Sequence, residues 1–415
     1  MNRNSDRDLA WLLAIGLALR IIWALMVPVE PVSDSWAYAN FARNIVEHGV
    51  YGGQPDQPSA YWAVGPAAIT AATFLIFGTE SFVGVVLLNL LAGALIILLI
   101  YRIGEIWYDQ RTATIAALIA ALWPNLIFFT SILSSEIWFI ALTLGGLWFH
   151  ERRDGRAWLN LLLAGVIWGL ACYVRPVILL LPVALALVAL PDGWRAILRA
   201  GIRAALLVGL IVLTVSPWTY RNARTFGSPV LVSTNFGPNL WMGNNPDTTG
   251  GYMPLPERVG EMDEIERAET LKSEAKDYIR SEPVAFVART LRKVAQLHER
   301  ETIGVVWNGD FLTQTIGQPG LLGLKLIATG YWFAVLGLAV FAVALRFAQS
   351  PARALFHPAI AGWAYFTMLH AITVVEDRYH MPSAPFIALL AAASANYLLQ
   401  RRNLPYASRK ERRTT

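Results

Sequence analysis

The chain has 415 residues, of which 55% are hydrophobic and only 15% are charged, and its mean hydropathy is +0.45. Because about a quarter of the residues of an ordinary soluble domain are charged, this composition excludes that class and favours a protein embedded in a membrane. The single cysteine, Cys172, excludes an internal disulfide, and with a formal net charge of only +5 no nucleic-acid partner is expected.

Ten apolar runs are predicted to be transmembrane helices, each close to or somewhat shorter than the ~20 residues that a bilayer requires. These runs are Leu9–Pro28, Phe82–Tyr101, Ala113–Phe129, Ile137–His150, Leu159–Tyr173, Val177–Leu190, Arg203–Trp218, Leu321–Phe347, Pro358–Val374 and Pro382–Leu399. The first run has no cleavage signature and is expected to remain as a span. Gly65–Phe77 is also apolar, but counting it would reverse every later helix, so an interfacial or re-entrant helix is predicted there.

Basic residues in the connecting segments predict the orientation of the chain, because cytoplasmic loops carry an excess of lysine and arginine. The segments assigned to the cytoplasm are all basic: the N-terminal tail, 102–111, 151–156, 192–203, 346–353 and the C-terminal tail. The opposite side receives 29–81, 130–136, 175–176, 219–320 and 375–381, which are longer or more acidic. We therefore expect a multi-pass protein of the cell membrane with both termini in the cytoplasm.

These assignments divide the chain into four parts. They are an N-terminal transmembrane module (1–218) that contains the first external loop (29–81), an external loop domain (219–320), C-terminal transmembrane helices (321–400) and a basic cytoplasmic tail (401–415). The external loop domain is too long to be a connector. It is predicted to contain a short strand at Val230–Ser233 and two amphipathic helices, Met262–Ile279 and one that begins at Pro283 and rests on the bilayer surface.

Four clusters of polar residues fall at the external ends of predicted spans. They are Asp34 with Tyr38, Ser134 to Glu136, Pro217 to Asn222 followed by Asn239 to Asn245, and Glu376 to Pro382. Each has a purely structural alternative. The alternatives are a helix N-cap for Asp34 and for Ser135 with Glu136, a snorkelling anchor for Arg221, a turn for Asn244 and Asn245, and a self-neutralising pair around Arg378.

Together the four clusters predict one pocket at the periplasmic or extracellular face, with two carboxylates and two or three arginines. An arginine beside a bilayer can bind phosphate oxygens through its planar fork, and a carboxylate can accept a proton from a hydroxyl or amine. This combination suits transfer of a group from a lipid phosphate, and aromatic side chains such as Tyr61 suit stacking on a sugar. No nucleotide-binding loop, histidine zinc motif or serine-hydrolase elbow occurs in the sequence.

The polar motifs, taken in chain order, resemble those of a known family. They are Asp34 with Tyr38, the segment around Pro66, Ser135-Glu136, Arg175-Pro176, P-W-T-Y-R-N at 217–222, G-x-N-L-W-x-G-N-N at 237–245 and E-D-R-Y-H-M-P at 376–382. The chain resembles the membrane-embedded GT-C glycosyltransferases over roughly residues 9–400. The resemblance is to the group related to dolichyl-phosphate-mannose protein mannosyltransferases and lipid A aminoarabinose transferases.

The resemblance implies an all-α bundle of about ten transmembrane helices and an enzyme that transfers a hexose or pentose, with inversion, from a polyprenyl-phosphate donor. The acceptor would be a lipid, glycan or protein. Asp34 is implied as the catalytic acidic residue, with Glu136 in support. The expected substrate-binding residues are Tyr38, Tyr61, Arg175, Arg221, Asn244, Asn245, Glu376, Arg378 and Tyr379.

One feature departs from the family pattern. Many relatives carry a second acidic residue beside the first-loop aspartate, whereas Ser33 and Ser35 flank Asp34 here. No metal or other cofactor is therefore expected. Two other functions stay open from the sequence: a transporter or flippase of a lipid-linked sugar, and a structural scaffold of the cell envelope.

Overall fold

The structure is a computed structural model that describes residues 3–402, and its regular elements are helices. In chain order they are α1 (Arg3–Met26), α2 (Asp34–His48), α3 (Val64–Phe77), α4 (Val83–Trp107), α5 (Gln110–Leu122), α6 (Pro124–Phe128), α7 (Glu136–Glu151), α8 (Ala157–Val174), α9 (Leu181–Ala186), α10 (Trp194–Phe226), α11 (Phe236–Gly243), α12 (Glu264–Ser281), α13 (Pro283–His298), α14 (Ile303–Val306), α15 (Gly309–Gln349), α16 (Pro358–Ile372) and α17 (Ala384–Arg402). Short 3-10 turns lie at Phe129–Ser131, Pro176–Ile178, Leu187–Asp192, Glu257–Val259, Pro351–Arg353 and Asp377–Ser383. The strand predicted at Val230–Ser233 does not form, and the tail predicted at 401–415 lies outside the described residues after its first two.

The prediction of an all-α, multi-pass membrane protein is confirmed, but the predicted count of about ten spans is not. Within residues 3–402, six helical segments are long and apolar enough to cross a bilayer: Asp6–Met26, Val83–Trp107, Ala157–Val174, Trp194–Phe226, Gly309–Gln349 and Asp377–Arg401. A seventh would be α5 with α6, which meet at a bend of 55°. Prolines cause several of the differences between the predicted spans and the observed helices, because they have no N–H to continue a helix. Pro124 starts α6, and Pro182 and Pro191 lie in the short pieces that replace the predicted span Val177–Leu190.

Small residues allow the central helices to approach closely, as is common in membrane bundles. On α5, the fully buried residues are Ala113, Ala116, Ala117, Ala120 and Ala121. A Cβ added to Gly104 of α4 would lie 2.8 Å from the Cα of Ala113. The α4–α5 contact therefore depends on glycine and alanine, and α17 also packs against α5.

Arg20 is a buried cation inside the first span, which the hydropathy pattern did not predict. Its side chain is 1% exposed, and its Nη1 donates to the carbonyls of Gly16 and Ala121 at 2.9 and 3.1 Å. Its Nη2 donates to the carbonyl of Ala120 at 3.2 Å. Carbonyls in the last turn of a helix lack intrahelical partners, and a cation there also suits the helix dipole. Arg20 thus caps α5 where the chain bends.

One end of the bundle, which we call the loop end, carries residues 29–81, 227–308 and 373–383. Its first segment is fastened by Glu264 of α12. The Oε2 atom of Glu264 accepts from the Ser59 hydroxyl at 2.8 Å, and Oε1 accepts from the backbone N–H of Ala60 at 2.8 Å and from Thr234 at 2.9 Å. These bonds fix the chain between α2 and α3 against the larger loop segment.

The two predicted amphipathic helices of the loop end are confirmed as α12 and α13. On α13, Val284 and Leu291 are 82% and 66% exposed, so its apolar face is uncovered. On the opposite face, the buried Nζ of Lys293 donates to the carbonyls of Thr373 at 2.6 Å and Gly243 at 3.1 Å. Lys293 therefore ties α13 to the segment that leads into Asp377–Ser383.

Candidate active site

Asp34 lies at the loop end, as the first residue of α2. Nη2 of Arg378 donates to its Oδ2 at 2.6 Å, so the carboxylate is bound to an arginine from the other end of the sequence. Ser33, which precedes it, has a φ of 51° and is the sole non-glycine residue with positive φ between residues 3 and 402. Such a conformation costs on the order of 1–3 kcal/mol and is concentrated at functional sites. The strained turn at Ser33 therefore sets the direction in which the chain enters α2 at Asp34.

Glu136 lies beside this pair at the start of α7, and its side chain is fully buried. Its Oε1 accepts from Nη2 of Arg175 at 2.9 Å and lies 3.7 Å from Nε of Arg378. The Ser135 hydroxyl donates to its other oxygen at 3.2 Å. The helix N-terminus and two guanidinium groups all favour the charged carboxylate. The four charged residues form one connected group, which we call the ion-pair cluster: Asp34, Glu136, Arg175 and Arg378.

Arg175 reaches the cluster because α8 ends at Val174. Pro176 disfavours a helical conformation at the residue before it, and Arg175 is extended with φ −148° and ψ 115°. Its Nη1 is buried and has no hydrogen-bond partner among the described residues, although Nη2 is bound to Glu136. A buried donor without an acceptor costs about 1–3 kcal/mol. Nη1 is therefore suited to bind an anionic oxygen that enters the cluster.

Aromatic rings surround the two arginines. The guanidinium groups of Arg175 and Arg378 each lie 5.4 Å from the centre of the Tyr379 ring, and that of Arg378 lies 4.5 Å from Trp307. The ring of His370 stacks on Tyr379 at 4.5 Å. These contacts stabilise the cations through the ring faces and hold them in place.

Tyr38 and Tyr61 provide neutral hydroxyl groups near Asp34. Burial raises the pKa of Tyr38 well above its ordinary value, and the charges of Asp34 and Glu136 raise it further. Burial also raises the pKa of Tyr61 to about 12. Trp62 packs edge-on against both rings, at 5.9 Å from Tyr38 and 5.1 Å from Tyr61. Both phenols therefore keep their protons at neutral pH and can donate hydrogen bonds.

Arg221 is not part of the ion-pair cluster. Its Nη1 donates to the carbonyl of Ser59 at 2.8 Å and to the side chain of Asn222 at 3.0 Å, and its guanidinium lies 4.6 Å from the Trp218 ring. The structure thus places Arg221 against the first loop, where it supports the same segment as Glu264.

Three further predicted residues lie close to the cluster in sequence or space but have structural partners. Nδ2 of Asn244 donates to the carbonyl of Ile372 at 2.8 Å, and Glu376 accepts from the backbone N–H of Tyr252 at 3.0 Å. Asn245 accepts from the N–H of Asp247 at 2.9 Å, as in an Asx turn, which agrees with the turn alternative.

The sequence analysis did not identify Trp307 or His370 as site residues. Trp307 follows α14 and belongs to no motif. His370 lies near the end of the predicted span Pro358–Val374, and its position at that end is the sequence feature that could have identified it as a site residue. Across residues 3–402, no group of three or more His, Cys, Asp or Glu side chains is arranged to hold a metal ion.

Comparison with known proteins adds independent findings. Residues 58–220 match the model of the dolichyl-phosphate-mannose-protein mannosyltransferase family. No curated protein matches the chain.

Two solved structures are similar over nearly the whole chain. One is the oligosaccharyltransferase AglB from Archaeoglobus fulgidus in complex with an inhibitory peptide and a dolichol-phosphate, with 15% identity, a TM-score of 0.59, and coverage of 96% of this chain and 51% of that one. The other is ArnT from Cupriavidus metallidurans bound to undecaprenyl phosphate, with 16% identity, a TM-score of 0.59, and coverage of 93% and 60%. The chain spans only about half to three fifths of the length of these structures. The resemblance predicted from the sequence motifs is confirmed.

Proposed function

We propose that this chain, which has the GT-C fold, transfers a sugar from a polyprenyl-phosphate donor to an acceptor at the external face of the membrane. The observation that carries this proposal is the bond between Asp34 and Arg378, beside the bond between Glu136 and Arg175. AglB and ArnT, which are similar in fold, were solved with dolichol-phosphate and undecaprenyl phosphate, and this supports the donor class. The distribution of basic segments supports the external side.

The two arginines would bind the donor phosphate. Nη1 of Arg175 is a buried, unpaired donor, and a phosphate oxygen would provide its missing acceptor. Nε of Arg378 lies 3.7 Å from the same Glu136 oxygen that Arg175 binds, so one phosphate can contact both guanidinium groups. The cluster contains two carboxylates and two arginines, and a buried phosphate therefore needs hydroxyl donors as well. Tyr38 and Tyr61 remain protonated and can supply them.

Asp34 would act as the general base. The acceptor oxygen or nitrogen forms a bond to the anomeric carbon while its proton passes to Asp34, and the bond from that carbon to the phosphate oxygen breaks. The electron pair of the broken bond leaves with the polyprenyl phosphate, whose charge the arginines stabilise. Attack from the side opposite the phosphate inverts the anomeric centre.

Glu136 has a supporting role in this proposal. Its carboxylate is fully buried and contacts both arginines, so it orients them and does not reach the acceptor. Arg221 likewise has a supporting role, because its guanidinium binds the backbone of the first loop and does not contact the ion-pair cluster. Asn244, Asn245 and Glu376 hold the loop segments that surround the cluster.

The test is transfer by the full chain in proteoliposomes, with Asp34→Asn compared with wild type. The substrates are labelled polyprenyl-phosphate hexoses and pentoses, with envelope membranes as the source of acceptor. Asp56→Asn is the matched control, since Asp56 lies in the same loop but is exposed. We expect Asp34→Asn to lower transfer by at least about 10²-fold, the usual contribution of a general base, while the protein stays folded at the assay temperature.

Two results would contradict the proposal. One is full transfer by the Asp34→Asn variant. The other is a wild-type protein that moves labelled lipid-linked sugar across the bilayer without releasing polyprenyl phosphate, since that outcome would identify a transporter.

A further inference from the structure

A cavity of about 810 Å³ lies outside the ion-pair cluster, between α11, α12 and residues 245–256. Its volume falls in the range of roughly 300–1,000 Å³ that is typical of small-molecule sites. The rings of Trp241 and Tyr278 and the charged side chains of Arg258, Glu274 and Asp277 line it. The proposed reaction, as described so far, uses none of these five side chains.

Asn244 gives this cavity an unsatisfied polar atom. The residue is fully buried and lines the cavity, and its Nδ2 donates to the carbonyls of Leu240 at 2.9 Å and Ile372 at 2.8 Å. Those two bonds fix the orientation of the amide. Its Oδ1 is then left buried without a partner among the described residues. Because such an acceptor is costly unless it is paired, a hydroxyl or N–H group of a ligand is the expected partner.

The charges of the lining favour a neutral or cationic ligand. Arg258 is already engaged by Glu274 through two bonds of 2.8 and 2.7 Å, so its guanidinium is neutralised. Asp277 is exposed and accepts from Arg280 at 3.0 Å, and Asp247 adds an exposed carboxylate. The cavity therefore presents mainly acceptor oxygens, which repel a phosphate and attract hydroxyl or ammonium groups. Aromatic rings among such acceptors offer flat apolar faces for the C–H surface of a sugar ring.

The lining of the cavity is packed against side chains of the loop end that contact the cluster. Trp241 belongs to an apolar group of side chains against which Met253 and Tyr379 also pack. Tyr379 contacts both cluster arginines on its other side. The apolar group that contains Trp241 thus connects the lining of the cavity, through Tyr379, with the two cluster arginines.

We infer that this cavity binds a neutral or amino-bearing glycan that forms part of the acceptor, an inference that rests on the proposed transfer reaction. The glycan would donate hydroxyl groups to Asn244 and Asp277 and pack on Trp241 and Tyr278. Its remote sugar units would occupy the cavity while the reacting group extends to Asp34. The donor phosphate would bind only at the ion-pair cluster.

Saturation-transfer NMR of the full-length protein in nanodiscs tests this inference. The probes are galactose and glucosamine, with glucuronate as an anionic comparison. Asp277→Asn removes a cavity carboxylate, and its matched control is Glu269→Gln on the same helix. Both acids are exposed and bonded to a cation three residues away, Asp277 to Arg280 at 3.0 Å and Glu269 to Lys272 at 2.6 Å. Only Asp277 lines the cavity.

A second pair of variants tests the same site by volume. Ser281→Phe places a ring at the lining of the cavity, whereas Ser273→Phe places one at an exposed position of α12 away from it. We expect galactose or glucosamine to bind, glucuronate to bind more weakly, and both cavity variants to weaken binding on the order of tenfold. Both controls should behave as wild type, and binding of polyprenyl phosphate should be the same in all variants.

The outcomes separate this inference from the proposed function. Sugar binding that persists in Asp34→Asn but is lost in Ser281→Phe supports the cavity, whatever the result for transfer. The inference is overturned if neither neutral nor amino sugar binds the wild type, or if sugar binding is unchanged in both cavity variants. It is also overturned if Ser281→Phe abolishes binding of polyprenyl phosphate, because the cavity would then belong to the donor.

Discussion

Nε2 of His380 and Oε1 of Glu301 form a hydrogen bond of 3.1 Å in the interior of the bundle. Trp123 donates its indole N–H to the same carboxylate at 2.9 Å, and Trp332 stacks on His380 at 4.3 Å. Since His380 follows Arg378 by two residues, this pair fixes the short turn that presents the guanidinium to Asp34.

Replacing Glu301 by alanine should lower the stability of the protein. Both His380 and Trp123 would lose a buried acceptor, at about 1–3 kcal/mol for each donor left unpaired. Glu301→Gln should cost less, because its amide oxygen can still accept from Trp123. Thermal unfolding in detergent measures both, with Glu299→Ala as the control, since Glu299 is an exposed neighbour. Equal unfolding temperatures for all three variants would show that the pair does not stabilise the turn.

Replacing Arg175 by lysine should weaken binding of the donor without unfolding the protein. Lysine keeps a positive charge near Glu136 but loses the second terminal nitrogen of the guanidinium fork. We expect the KM for the polyprenyl-phosphate sugar to rise on the order of tenfold, with a smaller change in kcat. Arg43→Lys is the control, because Arg43 forms a surface pair with Glu80 at 3.3 Å. An unchanged KM would remove Arg175 from the donor site.

Replacing Glu264 by alanine should loosen the first loop. The change removes the acceptor of three bonds, from Ser59, Ala60 and Thr234. We expect the Ala60 amide to exchange its hydrogen on the order of tenfold faster, because local opening costs less when such bonds are lost. Glu266→Ala, an exposed position on the same helix, should leave this exchange unchanged. Equal exchange rates in the two variants would argue against the role of Glu264.

Lys293 should make stability depend on pH. Burial lowers its pKa to about 8, and the charge of Arg289 acts in the same direction. An unfolded lysine has a pKa of about 10.4, so between these pH values the unfolded state binds more protons and stability rises with pH. The contribution of Lys293 is fully present above the unfolded value and is lost as the pH falls through about 8.

Lys293→Met should remove this dependence, because methionine does not titrate. Thermal unfolding of wild type and variant from pH 7 to pH 10 measures the difference in slope. Lys276→Met is the matched control at an exposed position of α12 and should keep the wild-type slope. If the Lys293→Met variant has the same slope as wild type, burial does not lower the pKa of Lys293.

The sequence predicted features whose signal is local. The periodicity of α12 and the proline that starts α13 were sufficient to place both helices. The contact between Asp34 and Arg378 was predicted only in general terms, as part of a set of polar clusters at the ends of helices on one side of the membrane. The same reasoning grouped Arg221 with them, although sequence position does not show that its guanidinium binds a backbone carbonyl of the first loop.

Buried charges in the interior were not predicted for a related reason. Glu301 and Lys293 lie in segments that look polar and exposed, and their partners are far away in the chain. No periodic pattern marks a single charged residue whose partner is supplied by another helix. The bend at Pro124 and the short length of Pro176–Asp192 also changed the span count, because hydropathy measures composition and not continuity.

The position of Arg20 has a consequence for how the protein is made. Its carbonyl partners at Ala120 and Ala121 follow it by 100 and 101 residues. At ~5–20 residues per second, the ribosome delivers them roughly 5–20 s after Arg20 itself. Until then the guanidinium lacks these two acceptors, and an unpaired charge within a span is costly, about 2.5–3.5 kcal/mol where it lies at the centre of the helix. Helix α1 is therefore synthesised early but reaches its final packed position only after α5 has been synthesised.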